Sequence, residues 1–186
     1  MLGEGFRDQR FELLKFLGNS LIQLKDLDGA QEAYEKAFVL FPGSDILQVN
    51  FGTLWAQRSD WNRATDCYRQ ALFLNIKNDQ AWVGLSLCHR VRGDFELAEA
   101  NLERALDENP LNETAISLMM DWSQEKAQFQ RARSRFFDFV DKGGFSPSLS
   151  QSMIAKARAF GDSGAAEFEE FHVQARTEEI SNAAHG

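Results

Sequence analysis

The chain has 186 residues, 20 basic and 28 acidic, and therefore a formal net charge of −8. Its apolar fraction of 44% is too high for a disordered chain, and its length suits one domain or one short repeat array. The acidic balance disfavours nucleic-acid binding, and no apolar run approaches the roughly 20 residues that membrane insertion requires. Residues 1–10 form a short lead-in without an apolar signal segment, so we expect a cytoplasmic protein.

An internal period of thirty-four residues organises the sequence. It is clearest in a column of alanines, Ala30, Ala64, Ala98 and Ala132, which stand thirty-four residues apart. Large apolar residues recur three positions before these alanines, and large, mostly aromatic residues recur four positions after them. The two sets are Leu27, Trp61, Phe95 and Phe129, and then Tyr34, Tyr68, Leu102 and Phe136.

Each period contains two helix-start signals, because residue types that cap helix N-termini recur at two positions. One set is Asp26, Asp60, Asp94 and Asp162, and the other is Ser44, Asn78, Asn112 and Ser146. The pattern predicts ten helices and no strand. Their predicted ranges are 9–24, 28–41, 45–58, 61–75, 79–92, 95–108, 113–126, 129–142, 147–159 and 164–180.

Small residues, alanines, aromatics and prolines in these columns resemble the tetratricopeptide repeat (TPR) family. The resemblance is strongest over residues 11–112 and continues over 113–146, where Met120, Phe139 and Gly144 depart from the pattern. It implies an all-α, right-handed α-solenoid of tandem helix hairpins. We expect four repeats (11–44, 45–78, 79–112 and 113–146), then a degenerate fifth repeat or capping pair over 147–180 and a disordered tail over 181–186.

We predict no enzyme activity, no cofactor and no metal site. No phosphate-binding loop or nucleophile motif is present. His89 shares a column with Leu21 and Trp55, which favours a partly buried, hydrogen-bonded side chain over a catalytic base. The two cysteines, Cys67 and Cys88, are expected to be buried free thiols.

The resemblance implies that the first helix of each repeat lines a concave groove. An apolar strip is expected in its middle, and such a strip on a solvated face is typical of an interaction site. The alternative is that the last helix of the chain, or a second copy of the chain, covers this strip. The candidate partner-binding residues are Lys15, Asn19, Ile46, Val49, Asn50, Thr53, Val83, Leu87, Arg90 and Val91.

One TPR subset clamps the C-terminal carboxylate of chaperone tails. Lys15, Asn19 and Asn50 resemble three of its contacts, but Val83 and Leu87 stand where the subset has a basic pair. We therefore expect weak carboxylate recognition or none.

The function predicted from these residues is a protein-interaction scaffold, adaptor-like or chaperone-like, that binds an apolar helix or extended segment of a protein or peptide. The alternatives are a structural subunit of a larger complex and a regulatory fragment of a multidomain enzyme. Self-association is left open. Arg131 and Arg135, on one face of a predicted helix, form a second candidate patch for an acidic partner.

Overall fold

The computed structural model of the chain describes residues 2–162, and within this range it contains nine helices and no strand. The predicted helix over 164–180 lies outside the described residues. Two compact units divide the chain after Glu108. The helices are α1 (Leu2–Gln23), α2 (Leu27–Leu40), α3 (Asp45–Gln57), α4 (Trp61–Leu74), α5 (Asp79–Arg92), α6 (Phe95–Glu108), α7 (Glu113–Trp122), α8 (Lys126–Asp141) and α9 (Pro147–Ala159).

Unit 1 contains three helix hairpins, α1–α2, α3–α4 and α5–α6, and each hairpin packs on the next. The alanine column is fully buried in all three second helices, at Ala30, Ala64 and Ala98. Cores form between successive hairpins: Leu47 and Leu54 of α3, for example, join a cluster with residues of α1 and α2. The apolar face of one hairpin is thus covered by its neighbour, as a repeat array requires.

Most of the predicted N-caps make the expected hydrogen bond. Each accepts a bond from the backbone N–H three residues later, which satisfies a donor that the helix itself leaves unpaired. These caps are Asp26, Ser44, Asp60, Asn78 and Asn112, at donor–acceptor distances of 2.9–3.2 Å.

Ser146 differs from these caps. It occupies the N-cap position of α9, but its hydroxyl makes no capping bond and lies 3.1 Å from the Ser148 hydroxyl. Pro147 at the first helical position has no N–H to satisfy, which lowers the demand for a cap.

Close approach of paired helices in unit 1 depends on glycine. A Cβ on Gly52 would lie 2.6 Å from Cε1 of Tyr68, and a Cβ on Gly84 would lie 2.3 Å from the same atom. Both distances are well below van der Waals contact, so the Tyr68 ring occupies space that any other residue would take. Gly18 leaves the same space for Tyr34.

Unit 2 contains α7, α8 and α9, and here a different glycine makes room for a ring. Phe139 stands in the column that holds Ala37, Ala71 and Ala105 in unit 1, and it is only 2% exposed. A Cβ on Gly144, in the loop after α8, would lie 2.4 Å from the Phe139 ring. The two departures from the repeat pattern therefore compensate each other.

The start of α1 differs from the prediction, because the helix begins at Leu2 rather than near residue 9. Gly3 and Gly5 lower the helix propensity of this segment. A tertiary contact offsets that cost: the Arg7 guanidinium lies over the Phe41 ring, 4.7 Å from its centroid, and donates to the Leu40 carbonyl.

The turn between α7 and α8 also differs from the prediction. Helix α7 ends at Trp122 rather than near 126, and α8 begins at Lys126 rather than near 129. The cause is a capping box in which the Gln128 side chain accepts from the backbone N–H groups of Gln124 and Glu125, at 2.9 and 3.2 Å.

Candidate functional site

A surface cavity of about 560 Å³ lies between α3 and the N-terminal end of α5, and we call it the α3–α5 cavity. The TPR resemblance predicts the groove on the side of the first helices, to which α3 and α5 belong. Four predicted site residues of α3 line it together with polar residues of the α4–α5 turn. The lining residues are Asp45, Ile46, Val49, Asn50, Thr53, Asn75, Lys77, Asn78, Asp79 and Gln80.

A carboxylate fixed by two amides forms the polar end of the α3–α5 cavity. Oδ2 of Asp45 accepts from the Asn75 and Asn78 side-chain amides at 2.7 and 2.9 Å. Partial burial raises the pKa of Asp45, but these two bonds and two backbone N–H bonds lower it more, so the pKa lies below its ordinary value of 3.8. The cavity therefore keeps a negative charge at neutral pH.

An unsatisfied donor lies in the wall of the same cavity. The Asn50 side-chain nitrogen is buried and has no hydrogen-bond partner among the described residues. Buried amides are nearly always paired in folded proteins, so an unpaired one needs an explanation. Val49 and Ile46 beside it are apolar, and the hydroxyl of Thr53 donates to the Val49 carbonyl at 3.1 Å.

The other two clamp-like residues are already engaged within α1 and α2. The Lys15 ammonium pairs with the Glu12 carboxylate at 2.8 Å, and the Lys15 side chain is only 17% exposed. The side-chain amide oxygen of Asn19, Oδ1, accepts from the Tyr34 hydroxyl at 2.7 Å. The positive charge that a free carboxylate would need at this point is therefore largely neutralised by Glu12.

The residues of the predicted apolar strip differ in their exposure. Ile46, Leu87 and Val91 are 50%, 37% and 54% exposed, and Val49 is half-buried. Val83, by contrast, is 4% exposed. The expectation that its side chain is open to a partner and lies outside the core is wrong, because this part of α5 is buried.

The remaining predicted residues lie apart from the cavity. Arg90 is half-buried at the C-terminal end of α5, with its guanidinium 4.5 Å from the Phe95 ring centroid. Arg131 is exposed and Arg135 is half-buried on α8, so the second candidate patch belongs to unit 2.

The histidine and the two cysteines that were considered as reactive residues have surroundings typical of structural side chains. His89 is half-buried, and its Nδ1 lies 3.4 Å from an Asp94 carboxylate oxygen, in agreement with the prediction of a hydrogen-bonded side chain. Cys88 is buried, whereas Cys67 is only half-buried, so the prediction for that residue was too strong. Burial first, and the neighbouring Asp66 second, raise the pKa of Cys67 to about 11, which keeps it a thiol.

Among residues 2–162, no three His, Cys, Asp or Glu side chains are grouped so that they could hold a metal ion. None of the helices in this range combines the length and the apolar character that crossing a lipid bilayer demands.

Sequence analysis missed the part that the α4–α5 turn takes in this site. Asn75 was not singled out, and Asn78 was assigned only a capping role. One signal was available: the trio Asp45, Asn75 and Asn78 is repeated thirty-four residues later as Asp79, Asn109 and Asn112. Because these three polar residues recur together with the period, they predict a contact among their side chains as well as helix caps.

Comparison with family models gives two matches, both described as tetratricopeptide repeat, over residues 11–44 and 49–113. Together they cover slightly more than half of the chain. A curated relative, Protein bimA of Emericella nidulans, is 26% identical over 100 residues. That match includes 54% of this chain but only 12% of the relative, so the chain spans a small part of that protein's length.

Solved structures share the fold at low identity. The crystal structure of PilW, described as a widely conserved type IV pilus biogenesis factor, has a TM-score of 0.66 and 23% identity, covering 92% of this chain and 80% of PilW. The first TPR domain of Spaghetti (RPAP3), bound to the HSP90 peptide SRMEEVD, has a TM-score of 0.53 and 23% identity. That match covers 57% of this chain and 85% of the Spaghetti domain.

Proposed function

Because the chain belongs to the tetratricopeptide repeat family, we propose that it is a non-enzymatic protein-interaction scaffold. Its site is the first-helix face of unit 1, and its ligand is an extended segment of a partner protein or a peptide. The Spaghetti domain, with the same fold, is bound to a peptide. Fold alone does not assign a function, so the proposal depends on the α3–α5 cavity itself.

The observation that carries the proposal is the unpaired, buried amide nitrogen of Asn50 in the cavity wall. An extended segment has backbone carbonyls that no helix or sheet satisfies, and one of them can accept this bond once the Asn50 side chain rotates its amide toward the cavity. A buried donor without a partner costs about 1–3 kcal/mol, and binding removes that cost.

Apolar side chains beside Asn50 define the rest of the ligand. Ile46 and Val49 offer aliphatic contact in the cavity, and Leu87 and Val91 continue the exposed apolar surface along α5. Burying one aliphatic side chain is worth about 1.5–3 kcal/mol. Two or three such contacts, after the cost of association, support binding in the micromolar range.

Recognition of a free C-terminal carboxylate is not part of the proposal. Lys15 is paired with Glu12, and Val83 and Leu87 provide no positive charge. We expect the peptide SRMEEVD to bind no better with a free C-terminus than with an amidated one. Calorimetry of both forms tests this, and a strong preference for the free acid that Lys15→Ala removes would restore the clamp.

The central experiment selects ligands without assuming a partner. Random peptides displayed on phage are panned against the chain, and the best peptide is titrated by calorimetry. We expect Ile46→Glu to weaken its affinity at least tenfold, and Asn50→Ala to weaken it about threefold to tenfold, since one hydrogen bond is worth about 0.5–1.5 kcal/mol.

Phe73→Glu is the matched control, because Phe73 is 83% exposed on the second helix α4. It introduces the same charge without touching the cavity and should leave affinity unchanged. If the selected peptides bind Ile46→Glu and the unsubstituted chain equally well, while both fold normally by circular dichroism, the first-helix face is not the binding site.

A further inference from the structure

The face of α1 that points away from its own hairpin is apolar and open. Phe6, Leu13 and Leu17 are 68%, 69% and 48% exposed, and Leu24 is 76% exposed. Leu24 directly follows α1 and continues its turn, because its N–H donates to the Ser20 carbonyl at 3.1 Å. At 100° per residue these four side chains fall within one narrow sector of the helix, which we call the α1 stripe.

The same columns are buried in the later hairpins of unit 1. Leu13 is 69% exposed, whereas its equivalents Leu47 in α3 and Ala81 in α5 are 0% exposed. Leu17 is 48% exposed, whereas Leu85, two periods later, is 5% exposed. In α3 and α5 these positions pack on the preceding hairpin. The α1 stripe therefore has the residues of an interior packing face, and no described element covers it.

The spacing of the stripe points to a second copy of this chain. Its members are separated by seven, four and seven residues, so the pattern is the same in both directions about position 15. Two copies of α1 related by a twofold axis there would run antiparallel, with Phe6 opposite Leu24 and Leu13 opposite Leu17 in both halves. A self-complementary patch is the requirement for a twofold dimer, and a different partner would not need this symmetry.

The charge of α1 agrees with pairing between copies. The chain as a whole has a net charge of −8, but α1 has three acidic and three basic residues. Two copies of α1 can therefore approach without the net repulsion that the rest of the acidic surface imposes. The α1 stripe combines local neutrality with a contiguous apolar surface, and such surfaces usually mark interaction sites.

We propose that two copies of this chain associate through the α1 stripe as an antiparallel helix pair centred on position 15. A helix of 22 residues is about 33 Å long. One helix pair of that length buries less than the roughly 800 Å² per partner of a standard interface. The dimer is therefore reversible, and its population depends on protein concentration in the micromolar range.

Sedimentation equilibrium of the full chain over a range of concentrations tests the dimer. The mass of the unsubstituted chain should rise from 21.1 kDa toward twice that value. The double variant Leu13→Glu, Leu17→Glu should stay monomeric throughout. The control Val39→Glu, Phe73→Glu adds the same charge at side chains that are 79% and 83% exposed on α2 and α4, and it should dimerise like the unsubstituted chain.

Three outcomes would overturn the proposal. The unsubstituted chain is monomeric at every concentration, which would assign the stripe to another protein or to a further segment. The Leu13, Leu17 variant dimerises normally while its circular dichroism shows intact helices. The Val39, Phe73 control alone loses the dimer, which would move the interface to the second helices. Peptide binding to Ile46 and Asn50 is measured separately, so the two proposals can fail independently.

Cysteine cross-linking tests the antiparallel register. An equimolar mixture of Phe6→Cys and Leu24→Cys chains should form a disulfide-linked heterodimer under mild oxidation, because the two positions face each other. Phe6→Cys alone should not cross-link, since its two copies would lie about 27 Å apart along the pair. The unsubstituted chain, with Cys67 and Cys88, is the background control. Efficient cross-linking of each single variant with itself would indicate a parallel pair and overturn the register.

Discussion

The two units admit a large aromatic ring between helices in different ways. In unit 1, Tyr68 fits because Gly52 and Gly84, on two first helices, have no side chain. In unit 2, Phe139 occupies a position where unit 1 has alanine, and the room is made by Gly144 in the loop after α8. A repeat position therefore does not have a fixed size. The total volume of the side chains that face one another is nearly fixed, because protein interiors are packed to a nearly constant density.

The difference also predicts which kind of substitution destabilises each unit. In unit 1 the helices pack closely because glycines have no side chain at the contact. Substitutions that add atoms there should therefore lower its stability most. Unit 2 has a core rich in phenylalanine, with Phe129 and Phe136 fully buried, so removed atoms should damage it most.

Removal of a ring from unit 2 should have the largest effect. Phe136 is 0% exposed, and its ring is tilted by 33° against that of Phe139, with the centroids 6.4 Å apart. Phe136→Ala should lower the free energy of unfolding by about 3–5 kcal/mol, as a large cavity replaces the ring. Urea denaturation followed by circular dichroism measures the loss. Phe73→Ala, at an 83% exposed side chain, should change it by less than about 0.5 kcal/mol.

Removal of the indole at Trp82 in unit 1 should have a smaller effect. Trp82 packs against the second core cluster but is only half-buried, and its Nε1 donates to the Ile76 carbonyl at 3.0 Å. Trp82→Ala should cost about 3 kcal/mol, at the low end for a tryptophan. Trp82→Phe keeps most of the packing and should cost about 1 kcal/mol, from the hydrogen bond. Equal losses for both variants would show that packing of the indole contributes little.

Addition of a single methyl group compares the two glycine–ring contacts directly. Gly52→Ala should press on Tyr68, and Gly144→Ala should press on Phe139, each at a cost of about 1–3 kcal/mol. Gly43→Ala is the control, because a Cβ there meets nothing within 4 Å. Differential scanning calorimetry should show two lowered melting temperatures and one unchanged. A harmless Gly144→Ala would mean that Phe139 can move aside, so that unit 2 is packed less tightly than unit 1.

Much of the fold follows from the sequence because the period repeats each signal several times. Fully buried alanines recur in every repeat of unit 1, and four predicted caps there make their bonds, Asp26, Ser44, Asp60 and Asn78. Helices α3 to α6 lie within one residue of their predicted ranges. The predicted helix boundaries are wrong where a single non-repeated contact sets the end of the helix. The Arg7–Phe41 contact extends α1 to Leu2, and the Gln128 capping box starts α8 early.

The site was harder to predict than the fold, because exposure is not a property of a column alone. Val83 is buried, whereas Val49, thirty-four residues earlier in the same column, is only half-buried. The repeat pattern gives the direction of a side chain, but its burial depends on which neighbouring side chains lie above it. For the same reason the α1 stripe, whose residues look like core, is open.

The smallest expected effect concerns the polar contact between Asp45 and two amides in the α3–α5 cavity. Asp45 is partly buried, which raises its pKa, but bonds from Asn78 and Asn75 outweigh this and hold the pKa below 3.8. A carboxyl group whose pKa is lowered by folding adds stability above its unfolded value, and that stability is lost as the pH falls through the folded value. Because the group is largely solvated, the contribution should be a few tenths of a kcal/mol. Urea midpoints between pH 6 and pH 3 should fall slightly more for the unsubstituted chain than for Asp45→Asn. Asn75→Ala removes one of the two amide donors and should give an intermediate pH dependence. If Asp45→Asn loses as much stability in acid as the unsubstituted chain, other carboxylates on the surface of unit 1 cause its loss of stability at low pH.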